Sequence, residues 1–146
     1  MKITRKMLEE LLACGPGFEW FAEEFGEEAT WEKVIPALQR DGHYDWVAWL
    51  CQNCPAGVSG ATWAARLGLM KRGWQRAWLG QYCPAGVPDA TWETRLSVQQ
   101  NAIDRARFGR ICPVGVPGAT LEARLAVQMD DAGRALVMGK FGKGER

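Results

Sequence analysis

Cys-Pro-Ala-Gly-Val stands at 54–58 and again at 83–87, and Cys-Pro-Val-Gly-Val follows at 112–116, each start 29 residues after the last. An Ala-Thr pair trails every copy at one offset: Ala61-Thr62, Ala90-Thr91 and Ala119-Thr120. A fixed period of this size marks an array whose units bury their apolar faces on one another. Further columns step with it. One reads Trp63, Trp92, Leu121; three places on come Arg66, Arg95, Arg124; later come Arg76, Arg105, Arg134; an apolar column runs Leu50, Leu79, Phe108, Val137. Trp20, Trp49 and Trp78 also step by 29 before Arg107, so the array starts before residue 54 in diverged form.

Within a unit the pattern predicts helix, turn, helix, loop. Over 90–99, Trp92, Leu96 and Val98 gather near one side, with Asp89 or Thr91 available as the cap. Over 102–112, Ile103, Ala106 and Ile111 recur at helical spacing, with Phe108 widening the apolar arc. The connector from Cys83 to Asp89 has Pro and Gly where a helix must stop. Helices are also expected over 4–14, 17–25, 30–40 and 43–53. No sustained period-two alternation is present, so strands are not expected. The expected fold is all-α: about ten short helices in about five hairpins, stacked as a short α-solenoid, with a compact helical bundle as the alternative. One domain spans the chain, with diverged acidic units over 1–53, three regular units over 54–140 and a tail over 141–146.

The charge is uneven. Residues 1–32 hold eight acids and three bases, whereas 33–146 hold fifteen bases and nine acids. Such a dipolar chain can steer a charged partner, and charged faces of two signs are also what solvated helices show. No run approaches the ~20 apolar residues that span a bilayer. Leu11-Leu12-Ala13-Cys14-Gly15 resembles a lipoprotein cleavage site, but Glu9 and Glu10 occupy the place of the apolar signal core. A cytoplasmic protein is expected.

Catalytic and metal chemistry find little support. Cys51-Gln-Asn-Cys54, with Cys83 and Cys112, supplies four thiols. Yet Cys54, Cys83 and Cys112 hold equivalent places in units whose helices pack about 8–10 Å apart. Sulfurs so spaced cannot converge to about 2.3 Å from one zinc, nor close a disulfide. Small buried cysteines at helix ends are the better reading. The single histidine, His43, lies in the turn Arg40-Asp-Gly-His-Tyr44 and reads as a helix-initiating residue. Gly-Lys-Gly at 142–144 has no strand before it and so is no phosphate loop. No catalytic residue, cofactor or metal is expected. The Trp columns, including Trp31, Trp63 and Trp92, read as glue between units or as an exposed aromatic strip. For the arginine columns two readings stand: bonds to loop carbonyls or neighbouring acids, or a guanidinium ladder facing phosphates or an acidic protein.

The opening Met1-Lys-Ile-Thr-Arg-Lys-Met-Leu8, with Ala13-Cys14, Trp20-Phe21, Phe25 and Asp45-Trp46-Val-Ala-Trp-Leu50, resembles small hypothetical proteins common in phage and prophage genomes. The resemblance covers about the first fifty residues. It implies a mobile-element origin, among proteins that block host defences, anti-CRISPR inhibitors included. The expected function is therefore a non-enzymatic protein-interaction module that inhibits a defence complex or nuclease by steric block, as a monomer or homodimer. Its expected contacts are Arg105, Arg107 and Arg110, or Glu23, Glu24, Glu27 and Glu28 acting as phosphate mimics. The alternative is nucleic-acid binding along the arginine columns, with a steep salt dependence.

Overall fold

A computed structural model describes residues 1–142, and they are mostly helical. Lys143 and Gly144 of the Gly-Lys-Gly stretch, and the rest of the expected tail beyond Gly142, lie outside the described residues. In chain order the elements are β1 (Ile3–Thr4), α1 (Arg5–Glu10), α2 (Gly15–Phe25), β2 (Glu28–Ala29), α3 (Trp31–Arg40), α4 (Tyr44–Asn53), α5 (Trp63–Leu69) and α6 (Gly73–Tyr82). Then follow α7 (Trp92–Leu96), α8 (Ala102–Ile111), α9 (Leu121–Ala126), α10 (Asp131–Val137) and a π-helical turn, Met138–Gly142. Two expectations change. A strand pair is present, antiparallel with Ile3 opposite Ala29 and Thr4 opposite Glu28. Two residues per strand are too few to produce an alternation legible in sequence. The start of the expected tail is structured too: Phe141 is buried, its ring 4.2 Å from the Arg124 guanidinium carbon.

The Cys-Pro, Ala-Thr and Arg columns form one recurring joint. Proline has no N–H, so Pro55, Pro84 and Pro113 cannot donate to the carbonyls four residues back, those of Cys51, Gly80 and Gly109. In each case the arginine fifteen residues after that carbonyl donates to it: Arg66 Nη1 to Cys51 O at 3.0 Å, Arg95 Nη1 to Gly80 O at 3.3 Å, Arg124 Nη1 to Gly109 O at 2.9 Å. The same guanidinium donates from Nη2 to the proline's own carbonyl, at 3.2, 2.9 and 3.4 Å. Its Nε donates to the alanine of the Ala-Thr pair, at 2.7, 2.8 and 3.0 Å. The threonine of that pair caps the first helix: Thr62, Thr91 and Thr120 accept from the backbone of Ala65, Thr94 and Ala123. Thr91 is therefore the cap of α7, while Asp89 stands at φ 65° in the turn, where Gly60 and Gly118 occupy the matching places.

Neighbouring hairpins are stitched further by backbone and glutamine. The Trp63 and Trp92 amides donate to Pro88 and Pro117 carbonyls, 25 residues on. Gln99 Nε2 donates to Ala77 O and Gln128 Nε2 to Arg105 O, each at 2.8 Å. Close approach there requires Gly80 and Gly109. A Cβ on Gly80 would lie 2.4 Å from Gln99 Nε2, and one on Gly109 2.5 Å from Gln128 Nε2. The apolar core runs from Ile3, Leu8 and Phe21 through Trp31, Leu38, Leu50 and Trp63 to Leu79, Val87 and Ala90. A second cluster holds Trp92 stacked on Phe108 at 4.1 Å, with Cys112 and Val116.

Candidate interaction surface

α6 reads Gly-Trp-Gln-Arg-Ala-Trp-Leu-Gly-Gln-Tyr. Ala77, Leu79, Gly80 and Gln81 are buried, and the small residues among them let the next hairpin sit close. Trp74, Trp78 and Tyr82 recur every four residues on another face, as neighbours on a helix surface must. They are 54%, 39% and 44% exposed. The rings touch one another: Trp74 and Trp78 meet edge to face at 6.0 Å, and Trp78 and Tyr82 are tilted at 5.8 Å. Ile103, one repeat on from Trp74, is also exposed, which corrects the expectation that it faces the core of its unit.

The charge around these rings has one sign. No acidic residue occurs between Asp45 and Asp89, and that stretch carries Arg66, Lys71, Arg72 and Arg76. Arg66 is buried, but Lys71, Arg72 and Arg76 are exposed. Lys71 Nζ lies 5.6 Å from the exposed Tyr44 ring, and Arg76 Nε donates to Met70 O at 3.0 Å. One repeat on from Trp78 stands Arg107, exposed like Arg110. The surface thus joins contiguous aromatic area to cations that no carboxylate in the stretch neutralises.

The other expected sites fare differently. Arg66, Arg95 and Arg124 are at most 1% exposed, and their bonds go to loop and helix-end carbonyls, so they form no external ladder. Burial pulls the Arg95 guanidinium below its usual range, with the cation of Arg66 adding to the effect. Arg105 is half-buried and its Nε donates to Gln99 O at 3.4 Å, so the expected trio reduces to Arg107 and Arg110. Three of the four glutamates are ion-paired: Glu24 with Arg40 at 2.7 Å, Glu27 with Arg5 at 2.7 Å, Glu28 with Lys2 at 3.4 Å. Pairing with the chain's own bases removes the free carboxylate array that phosphate mimicry needs, and leaves Glu23 alone.

Trp63 and Trp92 are core residues, Trp49 is half-buried and Trp78 exposed. Their column character therefore did not decide exposure. Cys54, Cys83 and Cys112 are buried free thiols, as is Cys51, while Cys14 is exposed. Burial pushes Cys51 up to about 12 and Cys54 up to about 11, and raises Cys83 and Cys112 as well. Among the described residues no group of three or more His, Cys, Asp or Glu side chains is placed to hold a metal. His43 stands at the start of α4, stacked on Trp46 at 3.9 Å. Among the described residues no helix is long and apolar enough to cross a membrane.

Reading by columns missed Trp74, Tyr82 and Lys71. The signal was available as two aromatics at i−4 and i+4 of Trp78, in a stretch of 43 residues without an acid.

Residues 1–54 match the family described as the YdhT N-terminal domain, the same stretch that carries the resemblance to small phage and prophage proteins. No curated protein and no solved structure matches the chain.

Proposed function

We propose that this chain is a non-catalytic protein-interaction module whose contact surface is the aromatic and basic face of α6. The observation that carries the reading is the Trp74–Trp78–Tyr82 ridge, exposed in mutual contact within an acid-free stretch. Trp, Tyr and Arg dominate the energetic centres of protein interfaces, because large rigid side chains bury area at low entropic cost. The partner that fits is an acidic surface carrying apolar projections. The 29-residue units are read as a short α-solenoid that presents this face. Steric block of a host defence complex or nuclease, in the cytoplasm, is the specific role, on the resemblance of the first fifty residues to phage and prophage proteins.

Affinity capture from a bacterial lysate tests the reading, comparing the parent chain with Trp74→Ala/Trp78→Ala and with Lys71→Glu/Arg72→Glu. A stoichiometric protein that survives nuclease and is lost with both variants supports it. A protein captured equally by all three places the interface elsewhere and overturns it.

A second reading rests on the same rings. Bases stack on exposed aromatics beside cations, so single-stranded nucleic acid is the competing ligand. It requires affinity that falls steeply with salt, as counterions return to the phosphates. Recovery of nucleic acid alone, lost on nuclease treatment, selects this reading.

A further inference from the structure

The N-terminal hairpins enclose a pocket of about 320 Å³, at the small end of the roughly 300–1,000 Å³ typical of ligand sites. Its walls are aromatic and aliphatic: Trp20, Trp46 and Trp49, with Phe21, Leu38 and Leu50 among the others. Asp45 is the one charged residue lining it. Of the three indole nitrogens only that of Trp20 is engaged, donating to Asp41 Oδ2 at 2.9 Å. Trp20 also meets His43 at 5.8 Å and Trp46 at 6.1 Å, so its ring is fixed from several sides. Lys71 lies over Tyr44, next to Asp45 in sequence, and makes no ion pair with Asp45.

The lip of this pocket is strained. α1 ends with Leu12 N–H bonded to Glu9 O at 3.1 Å and Ala13 N–H to Leu8 O at 2.9 Å, a closure that puts Leu12 at φ 59°. The same closure after α3 uses Gly42 at φ 75°, the residue such a turn favours. Leu12 takes the left-handed backbone although it is 86% exposed, so its own burial gives no compensation. A leucine held there adds an apolar wall at the pocket mouth, and backbone strain of this kind concentrates where ligands bind.

We propose that this pocket binds a small organic cation, its ammonium group held by the indole faces and Asp45. The ring quadrupoles of tryptophan attract a cation more strongly than those of other aromatics, and desolvation within a pocket strengthens the attraction. The single carboxylate complements the charge, and the net negative charge of residues 1–32 favours the same sign of ligand. The unengaged Trp46 and Trp49 nitrogens suit a hydroxyl or carbonyl on the ligand. The site is independent of the α6 surface and of the function proposed for it.

The test is an NMR titration of the full chain, following the assigned indole N–H resonances. Choline is the probe and its uncharged isostere 3,3-dimethylbutan-1-ol the control. Choline is expected to give saturating shifts at Trp20, Trp46 and Trp49, and the alcohol a response at least tenfold weaker. Asp45→Asn, at an exposed position, is expected to weaken choline about fivefold, the effect of one nearby carboxylate at high dielectric. The proposal is overturned by equal responses to the two probes, by an Asp45→Asn affinity equal to the parent's, or by shifts confined to other tryptophans. Absence of any saturating shift with choline overturns it too.

Discussion

Arg95→Met isolates what the buried guanidinium does. Arg95 is fully buried and donates to four carbonyls: Ala90, Gly80 and Cys83, which are buried, and Pro84, which is partly so. Methionine keeps most of the apolar stem but offers no donor. A buried acceptor left bare costs about 1–3 kcal/mol, so three cost roughly 3–9 kcal/mol before relaxation. Against this, the folded state no longer has to desolvate a cation, which is worth several kcal/mol. The carbonyls are the larger side, because all of them stay where they are and Gly80 O faces a proline that has no N–H. A net loss of about 2–4 kcal/mol follows, a large share of the roughly 5–15 kcal/mol typical of a domain. In thermal unfolding followed by circular dichroism, this lowers the midpoint by roughly 5–15 °C. Arg95→Lys recovers less than half of it, since one ammonium cannot span a helix end, a loop and the start of the next helix. Arg107→Met, at an exposed site, changes stability by no more than about 0.5 kcal/mol. An Arg95→Met protein as stable as the parent would refute the reasoning, because the carbonyls would then have other donors.

Gly80→Ala is expected to destabilise by about 1–3 kcal/mol despite alanine's better helix propensity, since its Cβ would meet Gln99 Nε2 at 2.4 Å and Arg95 O at 3.0 Å. Gly68→Ala, with nothing within 4 Å, is expected to stabilise by up to about 1 kcal/mol, and denaturant midpoints check the opposite signs. Asp89→Gly relieves the positive φ of 65° and is expected to raise the midpoint slightly, whereas Asp89→Val lowers it. The buried thiols make the fold sensitive to base. In the unfolded chain they ionise near 8.5, and in the fold Cys51 and Cys54 hold their protons to about 12 and about 11. Between those values the unfolded state binds fewer protons, so stability is intact below about pH 8 and falls as pH rises further. Cys51→Ala is expected to flatten that fall in denaturant titrations from pH 7 to 10.5. At pH 8 a disulfide reagent is expected to label Cys14 quickly and the other four thiols only on unfolding.

The sequence announced the joints better than the surfaces. Proline, threonine and arginine at fixed offsets are local chemistry: a missing N–H, a cap and a donor of sufficient reach. The positions of α2 to α4 and α8 were legible within about two residues, because apolar spacing and caps agree there. α7 is shorter than the spacing suggested, since the polar bonds around Arg95 close the segment after Leu96. What a 29-residue alignment cannot carry is which way a column faces. Trp63 and Trp78 both recur with the period, yet one is core and the other ridge, because exposure depends on which helix face the neighbouring hairpin covers. The glutamates illustrate the same limit. Their partners Lys2, Arg5 and Arg40 are brought to them by the strand pair and by α2 packing beside α3, a long-range effect that composition does not register. The tryptophan pocket was invisible for that reason too, its walls coming from β1, α1, α2, α3 and α4.

Because each proline is answered by an arginine eleven residues later, across the boundary between two hairpins, the length of this chain is quantised. Deleting or duplicating 29 residues with both ends between Pro55 and Arg124 leaves every such pair at its spacing, wherever the cut falls. A change of any other size, or a stop between Pro84 and Arg95, strands one helix end with its carbonyl bare. Insertion and loss in a lineage of such chains should therefore proceed in whole hairpins, lengthening or shortening the outward face while every joint keeps the same chemistry.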